Sequence, residues 1–298
     1  MSVVVSAKGL TKTYGSFKAV DDVSFSLEEN RIYGLLGRNG AGKTTIMHLL
    51  TAQLFPTGGE LKVFGEEPYE NNRVLSRLCF IKESQKYPET FRIRDVLETA
   101  GTFFPNWDRE YALALSEQFR LPLKRKMKKL SRGMLSSVGI VIGLASRAPL
   151  TIFDEPYIGL DAVARSLFYD RLLEDYAEHP RTVILSSHLI DEVSGMLEHV
   201  LLIDNGRLLL DEDADALRGG AYSVAGTGAR VEEFARGRRV IRRDSFGSLA
   251  SATVMGTLDG EARGHADSLG LETAAVSLQQ LIVHLTGGTS ERKEAGGR

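Results

Sequence analysis

Gly37-Arg38-Asn39-Gly40-Ala41-Gly42-Lys43-Thr44 fits the pattern G-x-x-x-x-G-K-[ST], and its reading decides the rest of the chain. The glycines let the backbone curl so tightly that successive N–H groups face inward, toward phosphate oxygens. Lys43 adds a mobile positive charge, and the Thr44 hydroxyl can ligate Mg²⁺. Thr45 follows at the first turn of the expected helix and belongs to the same nucleotide-binding set. Upstream, Arg31-Ile32-Tyr33-Gly34-Leu35-Leu36 suits a buried strand; downstream, Ile46, Met47, Leu49 and Leu50 fall at helical spacing. Strand, glycine loop and helix thus stand in the required order, with the helix N-terminus contributing its dipole and free N–H groups. A nucleoside triphosphate site in an α/β core is expected.

The core extends outward from this loop. Residues 1 to about 30 read as strands, with alternation in Val23-Ser24-Phe25-Ser26-Leu27 and a turn at Tyr14-Gly15-Ser16. Glu60-Leu61-Lys62-Val63-Phe64 is a further extended piece. About 84–147 is mainly helical and looks like an insertion into the core. Leu150-Thr151-Ile152-Phe153, Thr182-Val183-Ile184-Leu185 and Val200-Leu201-Leu202-Ile203-Asp204 resume the strands, with a helix from about Val163 to Ala177 between the first two. After Gly219-Gly220 the texture changes. The expected organisation is a nucleotide-binding domain over 1–219, a small α+β domain over 220–286 and a disordered polar tail over 287–298.

Composition narrows the function. Lys and Arg total 37 against 39 Asp and Glu, so there is no basic excess to bind a phosphate backbone, and no nucleic-acid partner is expected. No apolar stretch approaches the 18 or more residues of a membrane span, and Met1 to Val5 is too short for a signal peptide. A cytoplasmic location is expected. The lone cysteine, Cys79, between Leu78 and Phe80, reads as a buried thiol. The run Lys124 to Lys129 reads as a solvated face. Core packing is the simpler expectation for Phe103, Phe104 and Trp107, with a docking surface as the alternative.

Phosphate chemistry needs a carboxylate for Mg²⁺ at the end of a neighbouring strand. Phe153-Asp154-Glu155-Pro156 supplies it: Asp154 for the metal, and Glu155 as a general base that polarises the attacking water.

Leu130-Ser131-Arg132-Gly133-Met134, about twenty residues before Asp154, resembles the signature motif of ABC ATPases, L-S-G-G-Q in its commonest form. Gly159-Leu160-Asp161 resembles their D-loop, Ser186-Ser187-His188 their switch histidine, and Tyr14 the aromatic that stacks on adenine. The resemblance runs in order from about residue 7 to residue 210. It implies a P-loop ABC ATPase core with an antiparallel β subdomain and a helical subdomain. It also implies ATP and Mg²⁺ as ligands, and two cassettes closing head to tail so that Ser131 and Gly133 reach the γ-phosphate held by the partner's loop. Asp161 would contact the partner cassette, and His188 would orient the water near Glu155. A separate transmembrane permease is implied, with the chain peripheral on the cytoplasmic face of the membrane.

Two positions depart from the family pattern. Arg132 and Met134 replace a Gly and the Gln of the signature; L-S-x-G-M preceded by Pro105-Asn106-Trp107-Asp108 resembles a bacterial export-type subgroup. After Cys79-Phe80-Ile81-Lys82, the position that normally presents Gln to Mg²⁺ is Glu83, with Gln85 two residues later. Glu83 is the favoured metal ligand. The segment Val276 to Gly287 resembles the C-terminal part of bacterial drug, lipid or peptide exporters, so export is expected over import.

Overall fold

A computed structural model describes residues 2–83 and 85–294, with 287–294 described in backbone only. The chain divides into two compact units, residues 1–188 with 201–211, and residues 189–200 with 212–298. The segment 189–200 thus groups with the C-terminal residues, which places the division earlier and less simply than a single boundary at 219.

Two sheets build the first unit. The larger has strands in the order Leu78–Lys82, Leu150–Asp154, Thr182–Ser187, Ile32–Leu36, His199–Asp204, Arg207–Asp213. The first four run parallel, with Leu150 paired to Thr182 and Ile32 to Val183. Every residue of Ile32–Leu36, Leu150–Asp154 and Thr182–Ser187 is buried, which is why these strands are continuous apolar runs instead of alternating ones. The smaller sheet is antiparallel, with Val3–Tyr14 between Phe17–Glu28 and Gly58–Val63. Its inward residues Leu10, Val20, Val23 and Leu27 join Ile46, Met47 and Leu49 of the helix Lys43–Leu50 in one core.

Helices Ile93–Phe103, Arg109–Gln118 and Arg132–Ala145 occupy the insertion. Asp108 caps the second through the Tyr111 N–H (2.8 Å). Helix Arg132–Ala145 is buried from Ser137 to Ala145, and Gly143 lies so close to Phe153 that a Cβ would meet the ring at 2.4 Å. Cys79 is buried and free, its thiol pushed up to about 12 by desolvation, so it has no reactive thiolate. The aromatic trio does not form one core cluster. Trp107 packs beside Gly101, whereas Phe103 is 69% exposed and lines an apolar groove with Phe80, Tyr87, Phe91 and Phe104.

The second unit holds a four-stranded antiparallel sheet, in the order Val240–Phe246, Leu249–Met255, Ala221–Thr227, Glu272–Ala275. Tyr222, Val224, Val231, Phe234, Val254 and Leu271 form its core. Its last helix runs Leu278–Glu294, so 287–294 are helical where a disordered tail is expected; 295–298 lie outside the described residues. Leu278, Leu281 and Ile282 of that helix are buried, and the helix packs on Val240–Phe246 and Ile190–Val193. Leu278, Leu281 and Ile282 thus form an apolar stripe that is buried within the unit. Leu281→Ala is therefore expected to cost about 2–5 kcal/mol, read as a lowered denaturation midpoint for the second unit. A midpoint equal to that of the unsubstituted chain would show the stripe unpacked.

Candidate nucleotide site

Register assembles the site. Leu36 pairs with Ser187, and Asp154 with Ser186, so the chain leaves three adjacent parallel strands at one level. The glycine loop, the Asp154-Glu155 turn and His188 all emerge there. Helix Lys43–Leu50 begins immediately after Gly42, whose φ of +111° and whose missing Cβ, which would stand 2.5 Å from the Ala19 carbonyl, admit no side chain.

Lys43 lies 6% exposed beneath the loop. Its Nζ donates to the carbonyls of Gly37 (2.7 Å) and Arg38 (3.3 Å) and stands 3.8 Å from Glu155 Oε1. Burial lowers its pKa from the ordinary lysine value, and the charges of Glu155 and Asp154 oppose that shift. Asp154 accepts from Thr44 Oγ1 (2.8 Å) on one oxygen and from Ser186 Oγ (2.7 Å) on the other. Both oxygens of a buried carboxylate are thus satisfied, and the Thr44 hydroxyl is held beside a hard oxygen donor.

Glu155 occupies the left-handed region at φ +49°. Its Oε2 receives His188 Nδ1 at 2.6 Å and also the Tyr157 hydroxyl. Tyr157 is the site residue that the sequence left unassigned. Only its place two residues after Glu155 marked it.

A cleft of about 450 Å³ is lined by Tyr14, Phe17, Ala19, Asn39, Gly40, Ala41, Gly42, Lys43, Thr44, Thr45, Glu83, Asp154, Glu155, Ile158 and His188. Tyr14, half exposed, presents its ring there with Lys12 Nζ 5.3 Å from the ring centroid. Phe17, paired with Tyr14 across the turn, is a second aromatic that sequence reading passed over. The Gly37 and Arg38 carbonyls belong to the Lys43 seat below.

Ser131 and Gly133 do not line this cleft. Ser131 caps helix Arg132–Ala145, accepting from the Met134 N–H (3.2 Å). Gly133 abuts Gly159, whose carbonyl would lie 2.5 Å from an added Cβ. Asp161 caps helix Ala162–Glu178 through the Ala164 N–H (2.8 Å). Glu83 and Gln85 part company: Glu83 lines the nucleotide cleft and its carboxylate pairs with Arg132, while Gln85 lines the apolar groove of Phe103.

A family model described as ABC transporter matches residues 20–158. The chain is 34% identical over 224 residues to the bacitracin transport ATP-binding protein BcrA of Bacillus licheniformis, covering 73% of this chain and 72% of that one. It is 32% identical over 210 residues to the Nod factor export ATP-binding protein I of Ralstonia nicotianae, covering 68% and 65%. A solved ATP-binding subunit of an ABC transporter superposes with a TM-score of 0.66 at 25% identity, covering 72% of this chain and 92% of that one.

Lys43 is the sole cation seated under the loop in this cleft lining. Lys43→Ala is expected to weaken ATP binding roughly ten- to a hundredfold, the worth of a charge-assisted hydrogen bond. Calorimetric titration checks it, and unchanged affinity would remove the lysine from phosphate binding.

Proposed function

The chain belongs to the ABC transporter family as an ATP-binding ATPase subunit, and on that premise we propose that it closes with a second cassette around two ATP molecules to drive a separate permease. Tyr14 stacks on the adenine. The backbone of Gly37 to Thr45 and the Lys43 ammonium hold the phosphates. Charge neutralisation at the phosphates is what Mg²⁺ would supply when bound with ATP. Thr44 and Asp154 would hold it, since their oxygens converge to 2.8 Å and are of the hard type this cation takes. Glu83 pairs with Arg132 through Oε1, which leaves Oε2 as the oxygen it would offer the cation.

Glu155 is the general base, in hydrogen-bond contact with His188 on the cleft wall. The observation that carries the two-cassette reading is the position of the signature. Ser131 and Gly133 stand outside the cleft that their own loop forms, so they complete a phosphate site only in another copy. Asp161, two residues after the Gly159 that abuts Gly133, would contact the partner cassette.

The apolar groove of Phe80, Gln85, Tyr87, Phe91, Phe103 and Phe104 fits a cytoplasmic helix of the permease. That docking would keep the chain on the cytoplasmic face of the membrane, and no helix among the described residues is long and apolar enough to cross one. Export is favoured because one relative is named for the export of Nod factor and another for bacitracin transport. The cargo is selected by the permease.

Glu155→Gln should retain ATP binding and lose turnover by about 10²- to 10⁴-fold, the usual effect of removing a general base. Steady-state hydrolysis within threefold of the unsubstituted chain would sink the assignment. Chains carrying Ser131→Arg and chains carrying Lys43→Ala should recover ATP-dependent dimerisation when mixed in the Glu155→Gln background, because each spoils a different half of a shared site. Recovery no greater than for either alone, in a chain that homodimerises, would place the signature in its own site.

A further inference from the structure

Tyr157 is 3% exposed, and its hydroxyl sits between the two groups assigned to water activation. It bonds Glu155 Oε2 and stands 3.0 Å from His188 Nδ1, 2.9 Å from the His188 backbone nitrogen and 3.2 Å from Ser187 Oγ. The tyrosine ring meets the imidazole edge-on with centroids 5.5 Å apart.

A phenol has one proton to donate and room to accept two. The His188 N–H must donate to it, since a backbone nitrogen has no acceptor capacity; the Ser187 hydroxyl can fill the second acceptor position. The proton of the phenol then goes to the carboxylate. His188 Nδ1, 2.6 Å from Glu155 Oε2, must also carry a proton, because a bare nitrogen lone pair facing a carboxylate oxygen at that distance would repel it. This assignment satisfies every donor and leaves Nε2 as the ring nitrogen remaining for the cleft. Burial, and after it the bond to Glu155, push the phenol's ionisation well above the ordinary tyrosine range, so it remains a donor.

Glu155 holds a left-handed backbone conformation that a residue with a Cβ adopts at a cost. A carboxylate on such a turn needs an anchor, and Tyr157 provides one from two residues along the same turn. We infer that Tyr157 is a positioning residue for ATP hydrolysis, its hydroxyl fixing the Glu155 carboxylate and the His188 imidazole in one relation. The inference rests on Glu155 being the general base. Phenylalanine would fill the same volume and keep the edge-on ring contact, so the hydroxyl alone is at issue.

Tyr157→Phe in the full chain should lower kcat by roughly tenfold or more, the worth of a hydrogen bond to a charged group. KM and ATP affinity should stay within about twofold, because the phenol touches no part of the phosphate loop; a purely structural role would disturb binding as well. In the Glu155→Gln background the same substitution should lower the residual single-turnover rate by a clearly smaller factor, since only His188 is left for the hydroxyl to position. A kcat within twofold of the unsubstituted chain, a matching loss of ATP affinity, or an equal loss in both backgrounds would overturn the inference. Glu155→Gln alone separates the two readings. If it still turns over ATP, the general-base assignment fails; if it is inactive while Tyr157→Phe is not, only the tyrosine's role fails.

Discussion

The register of three buried parallel strands governs everything chemical in this chain. Ile32–Leu36, Thr182–Ser187 and Leu150–Asp154 pair so that Leu36, Ser187 and the Asp154–Ser186 level share one edge of the sheet. A slip of one residue between Leu150–Asp154 and Thr182–Ser187 would turn the facing side chains over and break the Ser186–Asp154 bond. Burial of these three strands on both faces calls for their largely apolar sequences, with the polar residues Asp154, Ser186 and Ser187 gathered at the strand ends.

That edge concentrates charge where water is scarce. Lys43, Asp154 and Glu155 are each below a tenth exposed, and such charges are costly unless each is paired and hydrogen-bonded. The carbonyls of Gly37 and Arg38 serve the ammonium, Thr44 and Ser186 serve Asp154, and Tyr157 with His188 serves Glu155. These partners come from four different segments. The polar cluster consequently ties loop, helix and strand ends to one another while it prepares the phosphate site.

How much of this the sequence disclosed depends on the range over which each signal acts. The glycine loop, the apolar runs of the parallel strands and the Asp154-Glu155 pair were legible because each is local: a motif, or a periodicity, and its neighbours. Strands Ala221–Thr227 and Glu272–Ala275 were not, since their Ala, Ser, Gly and Glu residues dilute the β signal and the strands exist through pairing with distant segments, Ala221–Thr227 with both Leu249–Met255 and Glu272–Ala275. The helical stretch from 287 to 294 looked like a tail because its polarity and glycines hide a continuation of the helix begun at Leu278. Phe103 shows the limit of reading aromatics as core, since it ends its helix beyond Ala100, the last buried residue of that helix, and stands 69% exposed. Tyr157 was missed for a different reason. Its partner His188 lies thirty-one residues away, and only the pairing of two strands brings them together.

The segment after Leu78–Lys82 joins the two ends of the proposed work cycle. Glu83 lines the nucleotide cleft, while Gln85, two positions on, lines the apolar groove with Phe103. The extended chain spans at most about 3.3–3.6 Å per residue, so Glu83 and Gln85 stand within about 7 Å of chain of one another. Arg132, at the start of the signature helix, holds the Glu83 carboxylate from the other side. The loop and its ion pair thus bring the cleft wall, the rim of the groove and the start of helix Arg132–Ala145 together through residues that the cleft already uses.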